Sequence, residues 1–177
     1  MLYFNDLRIF GWIKVVEKSK LNEVIGKLGP EPFVTKSSSG QAVLTLDLFK
    51  KILAKNSRPI KLVLMDQEKI SGVGNIYAND SLFLAGIHPR KKANKQSSDK
   101  ANKLFNALYK VLTDGIKWGG ASENNYRDAF GEKGRVQEHF YVYAREGEKC
   151  LKCGTLIQKI KLGGRGTYFC PKCQRYK

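Results

Sequence analysis

The chain has 177 residues, 42% of them hydrophobic, which is enough for one ordinary domain or two small ones with a packed core. It has no apolar run of roughly eighteen residues, no export signal after Met1 and no lipidation motif, so we expect a cytoplasmic or nucleoid protein without membrane contact. Lys and Arg number 32 against 16 Asp and Glu, a net charge of +16. This excess favours a polyanion, above all nucleic acid, as partner, although a highly soluble protein without such a partner would show the same charge.

The first segment of the chain is rich in aromatic and β-branched residues and predicts strand, turn and strand over residues 2–17. Two or three strands of this size are marginal unless they join a larger sheet. We therefore expect the chain to start partway through a larger β-domain, whose remnant with its linker covers residues 1–36. The linker contains the turn-forming residues 29–32.

Helical periodicity dominates the middle of the chain, predicted as one domain over residues 37–135. One helix follows the N-cap candidate Thr45, a second begins near Pro59, and a third covers residues 75–84 after a glycine-rich break. The clearest apolar stripe predicts a fourth helix over residues 101–116, ended by two glycines. Residues 90–103 predict a solvated basic loop and helix start, and residues 124–134 a mobile loop.

All four cysteines lie at the end of the chain, as two Cys-x-x-Cys pairs separated by sixteen residues. Without an export signal, this spacing favours metal over disulfides and is typical of a four-thiolate zinc ribbon. A redox dithiol or an iron–sulfur cluster is the alternative. A four-thiolate shell has no open coordination position, so we predict one structural Zn²⁺ in a finger over residues 136–177. Residues 140–143 are predicted to form a strand that leads into this finger. His139 is not needed as a ligand, because four sulfur atoms already complete the shell. The ligands are Cys150, Cys153, Cys170 and Cys173.

Between the two cysteine pairs, a glycine-flanked arginine, Arg165, stands at the predicted tip of a β-hairpin. Residues 145–177 contain nine Lys or Arg and two Glu, which favours a phosphate-facing surface. Glycines permit close approach of the backbone to DNA, and arginine offers a planar fork for phosphate. An exposed turn arginine without a role is the alternative.

Two stretches of the helical segment carry a family resemblance. Residues 72–78 read Gly-Val-Gly-Asn-Ile-Tyr-Ala, and residues 82–89 read Leu-Phe-Leu-Ala-Gly-Ile-His-Pro. Together they resemble the helix–two-turns–helix signature of the formamidopyrimidine-DNA glycosylase and endonuclease VIII family, and residues 6–11, 29–32, 59–66 and 142–150 extend the resemblance along the chain. It implies a mainly α fold with small β elements: remnant strands of an N-terminal β-sandwich with its linker over residues 1–36, a helical DNA-binding domain and a four-cysteine zinc β-hairpin finger.

The resemblance also implies roles for individual residues. Lys61 and Asn75 match residues that contact DNA near the lesion, and Gly74 opens the helix start so that backbone N–H groups can meet an anion. Arg165 matches the finger arginine that grips phosphate beside the flipped nucleotide and donates a proton during elimination. An amphipathic-helix lysine and a plain helix cap are the alternatives for Lys61 and Asn75.

Near the start of the chain, Phe10 and Arg8 match the family's wedge, in which an aromatic ring enters the gap left by the flipped base and arginine faces the unpaired base. Ile9 stands where the family usually has a second arginine, so one phosphate contact is expected to be missing. A Phe10 buried in a strand is the alternative.

The chemistry implied by the resemblance is base excision with strand nicking, performed in this family by an N-terminal proline amine aided by the adjacent glutamate. The chain begins with Met1 and Leu2. We therefore expect a monomer that binds and kinks damaged double-stranded DNA, with the catalytic N-terminal portion missing and the chain alone impaired or inactive. A stand-alone damaged-DNA-binding zinc protein without catalysis, or a basic zinc ribbon in a ribosomal or transcriptional assembly, are the alternatives.

Overall fold

The structure is a computed structural model that describes residue 11 and residues 13–33, 42–121 and 131–176. Five α-helices and one antiparallel hairpin form the regular structure of these residues, which confirms the mainly α class with small β elements. The helices are α1 (Leu21–Ile25), α2 (Leu46–Ala54), α3 (Ile60–Leu64), α4 (Asn75–Ala85) and α5 (Ser98–Lys117), and the strands are β1 (Gln158–Leu162) and β2 (Arg165–Phe169). Short 3-10 turns cover Lys18–Lys20, Ala93–Lys95 and Val136–His139. None of the helices in the described ranges is both long and apolar enough to cross a membrane.

The helix ends follow from local sequence. The Thr45 side chain accepts a hydrogen bond from the Leu48 N–H at 3.3 Å, which caps α2 as predicted. Ser97 caps α5 in the same way, through the Lys100 N–H at 3.3 Å. Helix α4 ends at Gly86, whose φ of 63° is a left-handed conformation that favours glycine.

The helical core forms where α5 packs on α4 and on α2. Its centre consists of side chains without solvent exposure. The Tyr77 ring of α4 lies so close to Gly115 of α5 that a Cβ atom at position 115 would not fit. Burial of each large apolar side chain contributes about 1.5–3 kcal/mol. The fully buried centre includes Phe49, Leu64, Leu82, Leu104 and Leu108.

A second, smaller core joins the finger to the helical domain. Phe83 of α4 packs there with Val142, Ile157 and two of the cysteines, Cys150 and Cys170. Helix α4 thus faces the helical core on one side and the finger on the other.

The finger hairpin is tight and its register is fixed by its turn. Leu162 pairs with Arg165, and the turn residues Gly163 and Gly164 have φ values of 57° and 74°. Two successive positive φ values define a type I′ turn, which suits a two-residue hairpin. Arg165 is therefore the first residue after the turn, and its position at the hairpin tip is confirmed.

Three elements differ from the predicted ones. Residues 1–10 and 12 lie outside the described residues, but residues 13–17 form no strand, and Ile13 and Val15 are 55% and 93% exposed because none of the strands that the structure describes pairs with them. The strand predicted for residues 140–143 is also wrong, because the N–H groups of residues 141–143 donate to a carboxylate on α4. Helix α1 was not predicted; it is only five residues long and buries none of them, although Leu21, Val24 and Ile25 lie at the helical spacing i, i+3 and i+4.

Candidate nucleic-acid interface

The hairpin tip of the finger docks on α3 and on the first turn of α4. Gly163 lies against the Leu62 side chain so closely that a Cβ would have to displace it. The Gly166 carbonyl accepts hydrogen bonds from Lys61 Nζ at 3.0 Å and from Asn75 Nδ2 at 3.2 Å. Three predicted site residues, Lys61, Asn75 and Arg165, are thereby brought to one place.

Lys61 is enclosed in this contact. Its side chain is 0% exposed, and Nζ also donates to Thr167 Oγ1 at 2.7 Å. Burial, followed by the positive charge of Arg165, lowers the pKa of Lys61 to about 8. Lys61 therefore links α3 to β2 and presents no surface of its own to solvent.

Arg165 is exposed beside this buried lysine. Among the described residues no carboxylate pairs with its guanidinium. The Arg165 charge instead interacts with the like charge of Lys61. Two cations without a neutralising acid create a local positive potential. The hairpin tip is therefore suited to an anion with several acceptor oxygens.

Helix α4 begins at an open position. Gly74, its N-cap, is exposed and extended, and no atom lies within 4 Å of the place where a Cβ would stand. The first N–H groups of a helix lack intrahelical partners and attract anions. The fold itself does not require glycine at position 74, whereas Gly72, with a φ of 79°, is in a conformation that does favour it.

Asn75 is held by a neighbour one helical turn away. Asn79, which is 0% exposed, donates from Nδ2 to the Asn75 carbonyl oxygen at 2.7 Å and to Asn75 Oδ1 at 3.3 Å. Asn79 Oδ1 accepts the Tyr168 N–H of β2 at 2.9 Å. The sequence analysis missed Asn79, although its i, i+4 relation to Asn75 places both amides on one helix face.

Two further buried polar residues, also missed, fasten the finger. The Asp80 carboxylate accepts N–H groups from Tyr141, Val142 and Tyr143 at 3.0–3.1 Å; burial raises its pKa, and these three hydrogen bonds oppose that rise. Gln174, 0% exposed, accepts the Cys170 N–H and donates to the Ile87 carbonyl, both at 2.9 Å. The sequence signal for Asp80 was weak, because the polar residues Asn79 and Ser81 flank it directly.

The four cysteines converge on one point. Their sulfur atoms all lie within 4.8 Å of one another, with Cys150 and Cys173 Sγ 3.9 Å apart and Cys153 and Cys170 Sγ 3.4 Å apart. A tetrahedral zinc site with Zn–S bonds of about 2.3 Å has S–S edges of about 3.8 Å. The Lys152 and Cys173 N–H groups point at Cys150 and Cys170 Sγ at 3.4 Å, as expected for thiolate knuckles. His139 stacks on Trp118 instead, with ring centroids 4.1 Å apart.

Two predicted site residues are not placed by the structure. Arg8 and Phe10, the predicted wedge, lie outside the described residues, as do residues 124–130 of the predicted mobile loop.

The fold and the site define a helix–two-turns–helix domain joined to a zinc finger. The hairpin of this finger docks over the start of α4. Residues 28–126 match the family described as the formamidopyrimidine-DNA glycosylase H2TH domain, and residues 147–175 match the zinc finger found in FPG and IleRS. The chain belongs to the formamidopyrimidine-DNA glycosylase family. The predicted resemblance and the single structural zinc ion are thereby confirmed.

Relatives match almost the whole chain. The formamidopyrimidine-DNA glycosylase of Listeria innocua is 42% identical over 176 residues, 98% of this chain and 62% of that protein. The Chloroflexus aggregans protein of the same name is 41% identical over 98% of this chain and 60% of its own length. The chain thus spans about three-fifths of these curated relatives.

Solved structures agree with these relatives. Lactococcus lactis Fpg in complex with DNA containing an abasic site superposes with a TM-score of 0.85 at 37% identity, covering 97% of this chain and 61% of that one. MutM (Fpg) from Thermus thermophilus gives a TM-score of 0.81 at 36% identity, over 92% of this chain and 60% of that one.

Proposed function

We propose that this chain is the DNA-binding part of a base-excision repair glycosylase with AP lyase activity, and that it binds and kinks damaged double-stranded DNA as a monomer in the cytoplasm or nucleoid. The observation that carries the proposal is the meeting of Arg165, the Asn75 amide and the open N-terminus of α4 around Gly166. Support also comes from the names of the relatives and from the abasic-site DNA bound to the Lactococcus lactis protein.

The expected ligand of this site is a backbone phosphate beside the lesion. The Arg165 guanidinium offers a fork of N–H donors for two phosphate oxygens. Asn75 Nδ2 uses one hydrogen on Gly166 and has a second for phosphate. The first N–H groups of α4 add donors that Gly74 leaves uncovered. Lys61 contributes its charge and holds the hairpin tip from beneath.

Distortion of the duplex and the chemical steps complete the proposal. Phe10 and Arg8 fill the gap left by the flipped nucleotide, by analogy with the family's wedge. Arg165 donates a proton during elimination, which its position beside the phosphate site allows. The nucleophilic amine is expected on an N-terminal catalytic portion, and residues 1–36, 37–135 and 136–177 are proposed as the three parts of this chain. A stand-alone damage-binding protein differs only in lacking catalysis.

The decisive experiment measures binding to an abasic-site duplex by fluorescence anisotropy over a series of salt concentrations. Arg165→Ala should weaken binding and reduce the slope of log K against log salt by about one phosphate contact. Arg175→Ala is the matched control, because Arg175 is also an exposed arginine of the finger but lies beyond the second cysteine pair. An unchanged slope for Arg165→Ala, or equal effects of both substitutions, would remove Arg165 from the interface.

A further inference from the structure

Two asparagines of α4 and two backbone groups of β2 form a closed ring of hydrogen bonds. The Tyr168 N–H donates to Asn79 Oδ1 at 2.9 Å, Asn79 Nδ2 donates to Asn75 Oδ1 at 3.3 Å, and Asn75 Nδ2 donates to the Gly166 carbonyl at 3.2 Å. Gly166 and Tyr168 lie on the same strand, so β2 closes the ring.

The direction of this ring is fixed by its backbone members. A peptide N–H can only donate and a peptide carbonyl can only accept. Tyr168 therefore requires the oxygen of the Asn79 amide, which turns the Asn79 nitrogen towards Asn75. Asn75 must then present its oxygen to Asn79 and its nitrogen to Gly166. The orientation of the Asn75 amide is thus set from both sides, by the Gly166 carbonyl and by Asn79, which is 0% exposed and cannot itself reach a ligand.

We propose that Asn79 is a positioning residue that holds the Asn75 amide nitrogen, rather than its oxygen, beside the Arg165 tip, so that Asn75 can donate to an anion there. A reversed amide would place its oxygen near the Gly166 carbonyl and near any bound phosphate, where both contacts are repulsive. The inference rests on the proposed function, since the anion in question is a DNA phosphate.

A purely structural role for Asn79 predicts something different. Asn79 also bonds the Asn75 carbonyl at 2.7 Å, so its loss could loosen α4 or the docking of the finger. Loosening would weaken DNA binding whether or not Asn75 has an amide. Positioning acts only through that amide, and a double-mutant cycle separates the two cases.

The cycle compares Asn79→Leu in the wild-type and in the Asn75→Ala background, with affinity for an abasic-site duplex as the readout. The loss of a net hydrogen bond predicts about fivefold weaker binding in the wild-type background. In the Asn75→Ala background we expect less than about twofold. Equal losses in both backgrounds, or no loss in either, would overturn the proposal. Ser81→Ala is the control, since Ser81 is a fully buried polar residue of α4 whose hydroxyl, within the described part of the chain, bonds the Ala78 carbonyl of its own helix.

A second measurement covers the case in which Asn79→Leu fails to fold. In ¹⁵N-labelled protein, the side-chain amide signals of Asn75 are assigned from their disappearance in Asn75→Ala. The milder Asn79→Ala should shift these signals and speed their exchange with water, because the ring is broken. Unchanged Asn75 signals would refute positioning. This readout needs no DNA, so it distinguishes failure of this inference from failure of the proposed function. If the proposed function were wrong, the wild-type chain itself would show no preference for the abasic duplex.

Discussion

Lys61 Nζ lies 2.7 Å from Thr167 Oγ1 and has no exposure to solvent, so the finger is fastened to the helical domain by a buried ammonium group. A buried charge is tolerated when it is hydrogen-bonded, and the Gly166 carbonyl provides the second acceptor. The contact joins residues separated by 106 positions in the chain. It is therefore a tertiary clasp between the parts that carry Asn75 and Arg165.

Lys61→Met should remove this clasp at nearly constant volume. We expect a loss of about 1–3 kcal/mol in the free energy of unfolding, because the Thr167 hydroxyl and the Gly166 carbonyl lose a buried donor. Denaturant unfolding of the zinc-loaded protein measures it. Lys103→Met, at an exposed position of α5, is the control and should change stability by less than about 0.5 kcal/mol. Equal stabilities of Lys61→Met and wild type would contradict the clasp.

The same lysine predicts a pH dependence with a definite sign. Its folded pKa of about 8 lies below the ordinary value of 10.5, so between these pH values the unfolded chain binds more protons than the folded one. The part of the Lys61 contribution to stability that depends on pH is fully present above pH 10.5 and is lost as the pH falls to about 8. The stability difference between wild type and Lys61→Met should therefore grow in favour of wild type over this range. A difference independent of pH would mean that Lys61 titrates normally.

Gly74→Ala should separate folding from binding. The backbone at Gly74 is extended and open, so the variant should keep wild-type thermal stability. Affinity for an abasic-site duplex should nevertheless fall, by about tenfold, because the methyl group covers the N–H groups at the start of α4. Gly72→Ala is the opposite case: its φ of 79° predicts a loss of stability of about 1 kcal/mol. Wild-type DNA affinity in Gly74→Ala would remove this helix start from the interface.

Zinc removal should uncouple the finger from the helical core. The finger has a small core in which Cys150 and Cys170 are themselves members, so it depends on the metal for its fold. The core around Phe49 and Leu108 contains no ligand and should persist. A chelator should release one zinc per chain, leave most helical circular dichroism intact and abolish the preference for abasic DNA. Retention of that preference in metal-free protein would show that the hairpin tip is held without zinc.

The sequence predicted those features that depend on local patterns. The Thr45 cap, the α5 stripe, the cysteine spacing and the glycines around Arg165 each encode structure within a few residues, and all appear in the structure. Contacts between distant segments could not be derived in this way. Residues 141–143, predicted as a strand, instead donate their backbone N–H groups to the Asp80 carboxylate. Nothing in the sequence of either segment alone indicates this contact.

The site residues show the same difference between features that local patterns predict and contacts between distant segments. A family pattern predicts the site residues Lys61, Asn75 and Arg165. The burial of Lys61 beneath the hairpin, however, follows from the docking of the finger, and no sequence periodicity encodes that docking. Asn79 and Gln174 were missed because each joins the finger to the helical domain through a backbone group far along the chain, the Tyr168 N–H and the Ile87 carbonyl. Backbone partners leave no trace in side-chain patterns.

Borohydride trapping tests the assignment of the nucleophile. The proposed function places the nucleophilic amine on an N-terminal catalytic portion, and Lys61, the amine beside Arg165, is buried and mostly charged at neutral pH. An amine must be unprotonated and placed against the sugar to form a Schiff base. We expect no covalent adduct with abasic-site DNA at pH 7, while anisotropy under the same conditions shows binding. A borohydride-dependent adduct would contradict this, and its loss in Lys61→Met would identify the reacting amine.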